Sequence, residues 1–327
     1  MTPGRIDAGP PAELVELVDA QADHFARLDR LLPERRTPPT GQPLSARLPD
    51  GRTVYGVHVR SSLAVDNPAR LWAAAEVDTL TPLIGDTGTD GMSALLDAWR
   101  VLLPGLALTG QDSACMVNWP SHDVAATRAF LDHGMLPIVV IAVRRPAAAT
   151  APVAAAAAPA AVGGPRRIRR ATGADGEAVV ELALAELRYS ALVGAPAPAN
   201  GAALRADSVL RRLADGCPMW LAEENGVPVG LADCGWADVG PGSPYVWQLL
   251  AGRWGYVNCL SVAPAARGTG VGTALVRVAH AEFARERAVG SFLFYSPANP
   301  LSSVFWPRRG YRPLWTMWEV RPAAALR

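Results

Sequence analysis

Two segments of this 327-residue chain repeat one another at a fixed distance, which restricts it to folds in which one domain occurs twice. The segment from Asp123 ends in Ala129, Phe130, Leu131, Asp132, His133, Gly134, Met135, Leu136 and Pro137. The segment from Asn299 ends in Phe305, Trp306, Pro307, Arg308, Arg309, Gly310, Tyr311, Arg312 and Pro313. Gly134 and Gly310, Pro137 and Pro313, and the Arg-Pro pairs at 145–146 and 321–322 all lie 176 positions apart. Between the halves, residues 147–165 are almost entirely Ala, Pro, Gly and Thr, with Pro152 and Pro159 interrupting any alanine helix. That composition reads as a linker. The expected plan is a first domain over 1–146, a linker over 147–164 and a second domain over 165–327.

Periodicity gives each half its elements. In the first half, residues 12–32 carry apolar positions at helical spacing, stopped by Pro33. The Asp50-Gly51 turn joins two strands into a hairpin. Residues 71–80 read as a strand, 92–103 as a helix, 114–118 as a strand, 124–133 as a helix and 138–143 as a buried strand. In the second half, 168–170 is a strand and Asp175 caps a helix running to 192. Residues 203–214 form another helix, and Asn225-Gly226 turns between two strands. Further strands are expected at 245–250, 256–262, 292–295 and 315–320, with a short helix at 301–308. The fold class is α/β with mixed sheets: two tandem domains, each a mostly antiparallel central sheet flanked by helices.

One loop in the second half carries chemistry. After an apolar run ending at Pro264 come Arg267, Gly268, Thr269, Gly270, Val271, Gly272 and Thr273, and then a helix with apolar residues at Ala274, Leu275, Val278, Ala279 and Phe283. Glycines between a strand and a helix N-terminus let backbone N–H groups converge on an anion that the helix dipole favours. Arg267 adds a forked cation suited to phosphate. The ligand this arrangement fits is a pyrophosphate.

Composition removes other classes. Net charge is +1, which gives no support to nucleic-acid or acidic-membrane binding. All 31 cationic residues are arginine, so Schiff-base and lysine general-base chemistry are excluded. Cys115, Cys217, Cys234 and Cys259 form no C-x-x-C pair, and the five histidines show no metal spacing. No metal site and no disulfide framework is expected. Residues 154–158, the longest alanine run, are too short to span a bilayer, and the N-terminus lacks signal-peptide features. A bacterial, cytoplasmic protein is the expectation.

The second half resembles the GNAT superfamily of acyl-CoA-dependent N-acyltransferases. The loop at 267–272 fits the family's R/Q-x-x-G-x-G/A pattern after a strand ending V-x-P. Asn299 followed by Gly310-Tyr311 fits N-x-x-A-x-x-F-Y-x-x-x-G-F, and the element order agrees. The resemblance covers about residues 166–322 and makes the whole chain similar to tandem members of the family. It implies that acetyl-CoA, or another acyl-CoA, is the cosubstrate and that a small-molecule amine is the acceptor. Backbone groups of Leu260 and Val262 would pair with the pantetheine. N–H groups from Gly268 through Thr269, Gly270, Val271 and Gly272 to Thr273 would hold the pyrophosphate with help from Arg267. Asn299 would bond the pantetheine arm. An amine then attacks the thioester directly, with no covalent enzyme intermediate.

The chain departs from that pattern in two places. Trp306 stands where many members have a tyrosine acid, and indole N–H is far too weak an acid for that task. It is expected as a packing aromatic beside the cofactor, with Tyr295, Ser303 or water assisting the leaving thiolate. No acidic residue lies on the 256–262 strand, so Tyr256 and Asn258 are the candidate proton-handling groups there, with Asp233 and Asp238 following the preceding hairpin. Trp236, Trp247 and Trp254 could wall an acceptor pocket. In the first half, Thr87, Gly88, Thr89, Asp90, Gly91 and Met92 stand opposite the glycine loop, without its arginine and with a carboxylate added. That half is expected to be a degenerate copy. The alternative to an enzyme is a non-catalytic acyl-CoA-binding or sensing protein.

Overall fold

The computed structural model describes residues 12–35, 37, 39–106, 108, 110–146 and 166–327. The expected linker at 147–164 lies outside them. The chain divides into two compact units, and each draws on both halves of the sequence. Unit 1 is Met1–Ser61, Glu76–Leu136 and Met317–Arg327; unit 2 is Ser62–Ala75 and Pro137–Thr316.

Unit 1 contains α1 (Ala12–Leu28), β1 (Gln42–Arg47), β2 (Thr53–Ser62), β3 (Glu76–Leu83), α2 (Gly88–Leu102), β4 (Ser113–Pro120) and α3 (Val124–Asp132). β1 and β2 form the expected antiparallel hairpin, and β3 and β4 pair in parallel. Its core gathers Trp99, Trp119, Phe130, Met92 and Leu95 with Trp318 and Val320. The sequence places a strand at 71–80, but residues Pro68–Leu71 form a 3-10 turn capped by Asn67 and β3 begins only at Glu76. Asn67 accepts from the Ala69 N–H, and this local bond overrides a weak apolar pattern.

Unit 2 is built on β5 (Leu136–Arg144), β6 (Arg166–Arg170), α4 (Gly176–Leu192), α5 (Gly201–Ala214), β7 (Met219–Glu224), β8 (Val227–Val239), β9 (Gly252–Val262), α6 (Val271–Arg285), β10 (Gly290–Tyr295), α7 (Pro300–Phe305) and the first part of β11 (Arg312–Val320). Its strands run in the order β5-β10-β9-β8-β7-β6. The β10–β9 pair is parallel and the others are antiparallel. Alternation along β7 sends Trp220 and Ala222 to the α6 face, where Val271, Leu275, Ala279 and Phe283 cover them. Met219 and Leu221 point to the other face, against Val179, Leu182 and Ala183 of α4 and Val209 of α5. Asn225 and Gly226, both at positive φ, make the tight β7–β8 turn. The strand expected at 245–250 is instead a run of turns, with Val246 N–H on Ser243 O and Gln248 N–H on Tyr245 O. Pro241, Gly242 and Pro244 ahead of it fix the chain in turns and remove a ladder donor.

The mixed, mostly antiparallel α/β architecture is as the sequence reading has it.

Candidate active site

The site begins where β9 parts from β10. β8 and β9 pair through Cys234↔Val257 and resume at Asp233↔Cys259, leaving Asn258 as the extra residue of a β-bulge. A bulge bends its strand and sharpens the local twist. On the other side β10 accompanies β9 only as far as Leu293↔Val257. Phe294 and Tyr295 continue on β5, opposite Ile141 and Val140. The two central strands therefore part at the bulge. Along Leu260 and Val262, backbone polar groups of β9 face a wedge rather than a strand.

The wedge leads to the glycine loop. Gly268 and Gly270 have φ of 79° and 92°, left-handed values that L side chains reach only with strain. A Cβ on Gly268 would meet nothing within 4 Å, and one on Gly270 only Arg166 Nη1 at 3.9 Å, so this side of the loop is open. α6 starts at Val271 with Gly270 as its N-cap and no side-chain cap. The N–H groups of Val271, Gly272 and Thr273 thus have no intrahelical partner, and the positive end of the helix dipole lies among them.

Arg166, which sequence reasoning missed, braces this loop. Its Nη1 donates to Thr269 O and its Nη2 to Thr269 Oγ1, both at 3.0 Å, while Glu224 pairs with the same guanidinium. Arg166 lies 103 positions before Thr269, and no local pattern links the two. Arg267 turns back along the strand edge. Its Nε donates to Val262 O at 3.1 Å, and its guanidinium lies 5.3 Å from the centroid of the Tyr189 ring.

On the α4/α5 face of the bulge is a polar cluster. Asp233, fully buried, accepts from Arg212 Nε at 3.0 and 3.1 Å and from Arg212 Nη2 at 2.8 Å. It also accepts from the Asn258 amide, and Arg212 Nη2 donates to Cys234 O at 2.7 Å. Asn258 and Asp233 are thus tied into the scaffold. Glu186 of α4 accepts from Ser190 Oγ at 2.7 Å and lies 4.0 Å from Cys259 Sγ. Burial pushes the Cys259 thiol well above its ordinary range, so it stays a neutral thiol.

Beside the cluster, Tyr256 stacks on Phe292 with centroids 4.8 Å apart, and Tyr245 and Phe294 meet the same pair edge-on or tilted. Burial raises the pKa of Tyr256, Tyr245 and Tyr295. Each phenol is protonated at neutral pH and cannot act as a base there. Of the tryptophans expected as an acceptor wall, Trp247 is exposed and the other two pack apart from each other. Trp254 is buried with its indole on Leu250 O, and Trp236 packs against Phe283 on the α6 face.

The remaining predicted residues sit around α7. Asn299 caps it, its Oδ1 accepting from the Leu301 and Ser302 N–H groups, while its amide nitrogen makes no bond among the described residues. Ser303 Oγ donates to Pro297 O at 2.9 Å. Trp306 is 7% exposed and packs edge-on against Phe305 and Tyr311 in the α6-side core. Among the described residues no group of His, Cys, Asp and Glu could hold a metal, and no helix is long and apolar enough to cross a membrane.

The corresponding places in unit 1 are filled by the chain itself. A Cβ on Gly91 would come within 1.7 Å of Thr87 Oγ1, and Thr89 Oγ1 donates to Ala125 O at 2.6 Å. Parallel pairing of β3 with β4 runs to Leu80↔Val117. Buried Gln21 of α1 donates to Pro82 O at 2.9 Å and accepts from the N–H groups of Ile84 and Gly85 at 2.8 and 3.3 Å. His24 and Trp119 both bond Asp123, the N-cap of α3, which stands where Asn299 stands in the second half.

Residues 183–311 match the model of the acetyltransferase (GNAT) family. Comparison with curated proteins gives no match. Among solved structures the chain is similar to a GCN5-related N-acetyltransferase from Sphaerobacter thermophilus. The identity is 14% over 95% of this chain and 92% of that one, with a TM-score of 0.55. It is also similar to a GCN5-related N-acetyltransferase from Ralstonia eutropha, at 28% identity over 46% of this chain and 94% of the other, TM-score 0.37. An acetyltransferase from Clostridium acetobutylicum solved with acetyl-CoA is 19% identical over 45% of this chain and 90% of that one, TM-score 0.37.

Proposed function

We propose that the chain is a tandem GNAT protein that transfers an acyl group from acetyl-CoA, or another acyl-CoA, to the amine of a small molecule, and that it does so through unit 2. The observation that carries this reading is the wedge between β9 and β10, which opens at the Asn258 bulge and runs into the uncapped α6 N-terminus. A pantetheine arm bonded to the free edge of β9 at Leu260 and Val262 brings its thioester to the bulge. Its pyrophosphate then meets the N–H groups of residues 268–273. Bound cofactor displaces Arg267 Nε from Val262 O and leaves the guanidinium free to pair with phosphate.

The amine attacks the thioester carbon, a C–N bond forms, and the C–S bond breaks to release CoA thiolate. A backbone N–H near Leu260 steadies the carbonyl oxygen, and fixed geometry supplies most of the acceleration. With the neighbouring phenols kept protonated by burial, water relays the amine proton to solvent or to the departing CoA thiolate, which leaves as the thiol.

Unit 1 serves as a degenerate, structural copy, because Gln21 takes the strand-edge groups that a pantetheine would need. Trp306 in the core favours a second reading, an acyl-CoA-binding protein without turnover. Thiol release from acetyl-CoA with a panel of amines separates the two. Cofactor binding with no turnover on any amine selects the second reading. CoA affinity unchanged in Arg267→Glu overturns the site.

A further inference from the structure

Two arginines of α5 face β9 near the bulge, and they differ in one respect. Arg212 is fully engaged: its Nε and Nη2, the two donors on one edge of the guanidinium, hold Asp233 side-on. Arg205 lies deeper, with its side chain 4% exposed, yet its Nε and Nη2 make no hydrogen bond among the described residues. Cys259, Glu186 and Asp233 are its electrostatic neighbours. Asp233 is already engaged by Arg212 and Asn258, and the uncharged Cys259 thiol offers Arg205 only its sulfur as a weak acceptor. That leaves Glu186, whose Oε2 is 3.6 Å from Arg205 Nη2, beyond hydrogen-bond length, while its other oxygen accepts from Ser190.

A buried guanidinium with open donors is costly, and an apolar side chain would fill the same space without that penalty. The open pair is the same edge, Nε with Nη2, that Arg212 uses to grip a carboxylate. That edge matches the two oxygens of a carboxylate and gives selectivity that a point charge does not. Glu186, partly exposed, is placed to move aside as a ligand carboxylate takes its position.

We propose that Arg205 forms a carboxylate-binding subsite beside the transfer centre, so that one of the two reactants carries a carboxylate. This rests on the reading of unit 2 as the acyl-transfer site. The carboxylate belongs either to an amino-acid-like acceptor or to the far end of a dicarboxylic acyl group. The aromatic patch of Tyr245, Tyr256 and Phe294 lies on the same side of β9 and suits the apolar part of such a molecule.

The test uses the full chain and three titrations. CoA alone reports on the cofactor site: if CoA does not bind, the underlying reading fails by itself. Acetyl-CoA against succinyl-CoA tests the donor source, and thiol release from acetyl-CoA with amino acids against their amides tests the acceptor source. The expected result is at least a tenfold preference for the carboxylate-bearing member in one arm. Arg205→Met abolishes that preference while binding of CoA alone stays within twofold. Absence of any preference in both arms, with CoA bound, overturns the proposal, as does a preference that survives Arg205→Met. Should Arg205→Met fail to fold, Glu186→Gln provides the second variant. Removing the competing carboxylate is expected to strengthen binding of the preferred ligand, and weaker or equal binding counts against the subsite.

Discussion

Gly270→Ala isolates what the glycine loop does. Gly270 sits at φ 92°, ψ 0°, as the N-cap of α6. An added methyl would meet no atom closer than 3.9 Å, so the substitution brings no clash, only the backbone cost of a left-handed alanine. That cost is about 1–2 kcal/mol. Spread over a chain of this size it lowers the melting temperature by roughly 1.5–3 °C. Relief of the strain requires φ to turn negative. The N–H groups of Val271 and Gly272 would then point elsewhere, and the Arg166 bonds to Thr269 would be pulled apart. If the methyl instead stays, it projects into the open space assigned to phosphate.

Either outcome costs CoA affinity at least tenfold, about 1.4 kcal/mol or more. Gly226→Ala is the matched control. Gly226 has φ 80° with nothing within 4 Å of an added Cβ, but it lies in the β7–β8 turn. It should lose the same stability and keep its affinity. Calorimetric titration with CoA and thermal unfolding of both variants decide the matter. Wild-type affinity in Gly270→Ala, or an equal loss in Gly226→Ala, refutes the reasoning.

Gln21→Ala strands three backbone groups of unit 1 and should lower unfolding stability by about 2–3 kcal/mol, read by denaturant titration, with CoA affinity unchanged. His280, whose ring faces Tyr311 OH, is pushed down to about 4 by burial and then by Arg144. Its folded pKa lies below the unfolded value, so it costs nothing above pH 6.5, and stability falls as pH drops from 6.5 towards 4. The loss is on the order of 3 kcal/mol, and His280→Gln should flatten that part of the stability–pH curve. A fragment of residues 165–327 lacks β5 and leaves Ser291 to Tyr295 of β10 without their antiparallel partner. It should aggregate in light scattering while the full chain does not, and a soluble, cooperatively folding fragment would contradict this.

The helices and most strands were legible because their signals are local. Asp175, Asn225-Gly226 and the alternation along 219–222 each act within a few residues. Misreadings fell where a nearby bond or proline outweighed apolar content, as at Asn67 and at Pro241 and Pro244. The glycine loop was legible too, since only glycine takes φ near 90° at Gly268 and Gly270. The Asn258 bulge was not, because a bulge is a property of register between two strands and leaves no mark on one of them. Arg166 and Arg205 were missed for a related reason: their meaning lies in Thr269, Glu186 and Cys259, which only the fold brings near. Nor does the sequence order announce that residues 137–144 belong to unit 2 and 317–327 to unit 1.

The central claim is that the chain has one working acyl-CoA cradle, in unit 2. A crystal structure of the full protein with acetyl-CoA tests it most directly. The account predicts one cofactor per chain, its pyrophosphate on the N–H groups of residues 268–273, its pantetheine along Leu260 and Val262, and Arg267 moved off Val262 O. Acetyl-CoA bound at Thr87 to Met92 with Gln21 displaced, or the β9–β10 wedge left empty, would contradict it.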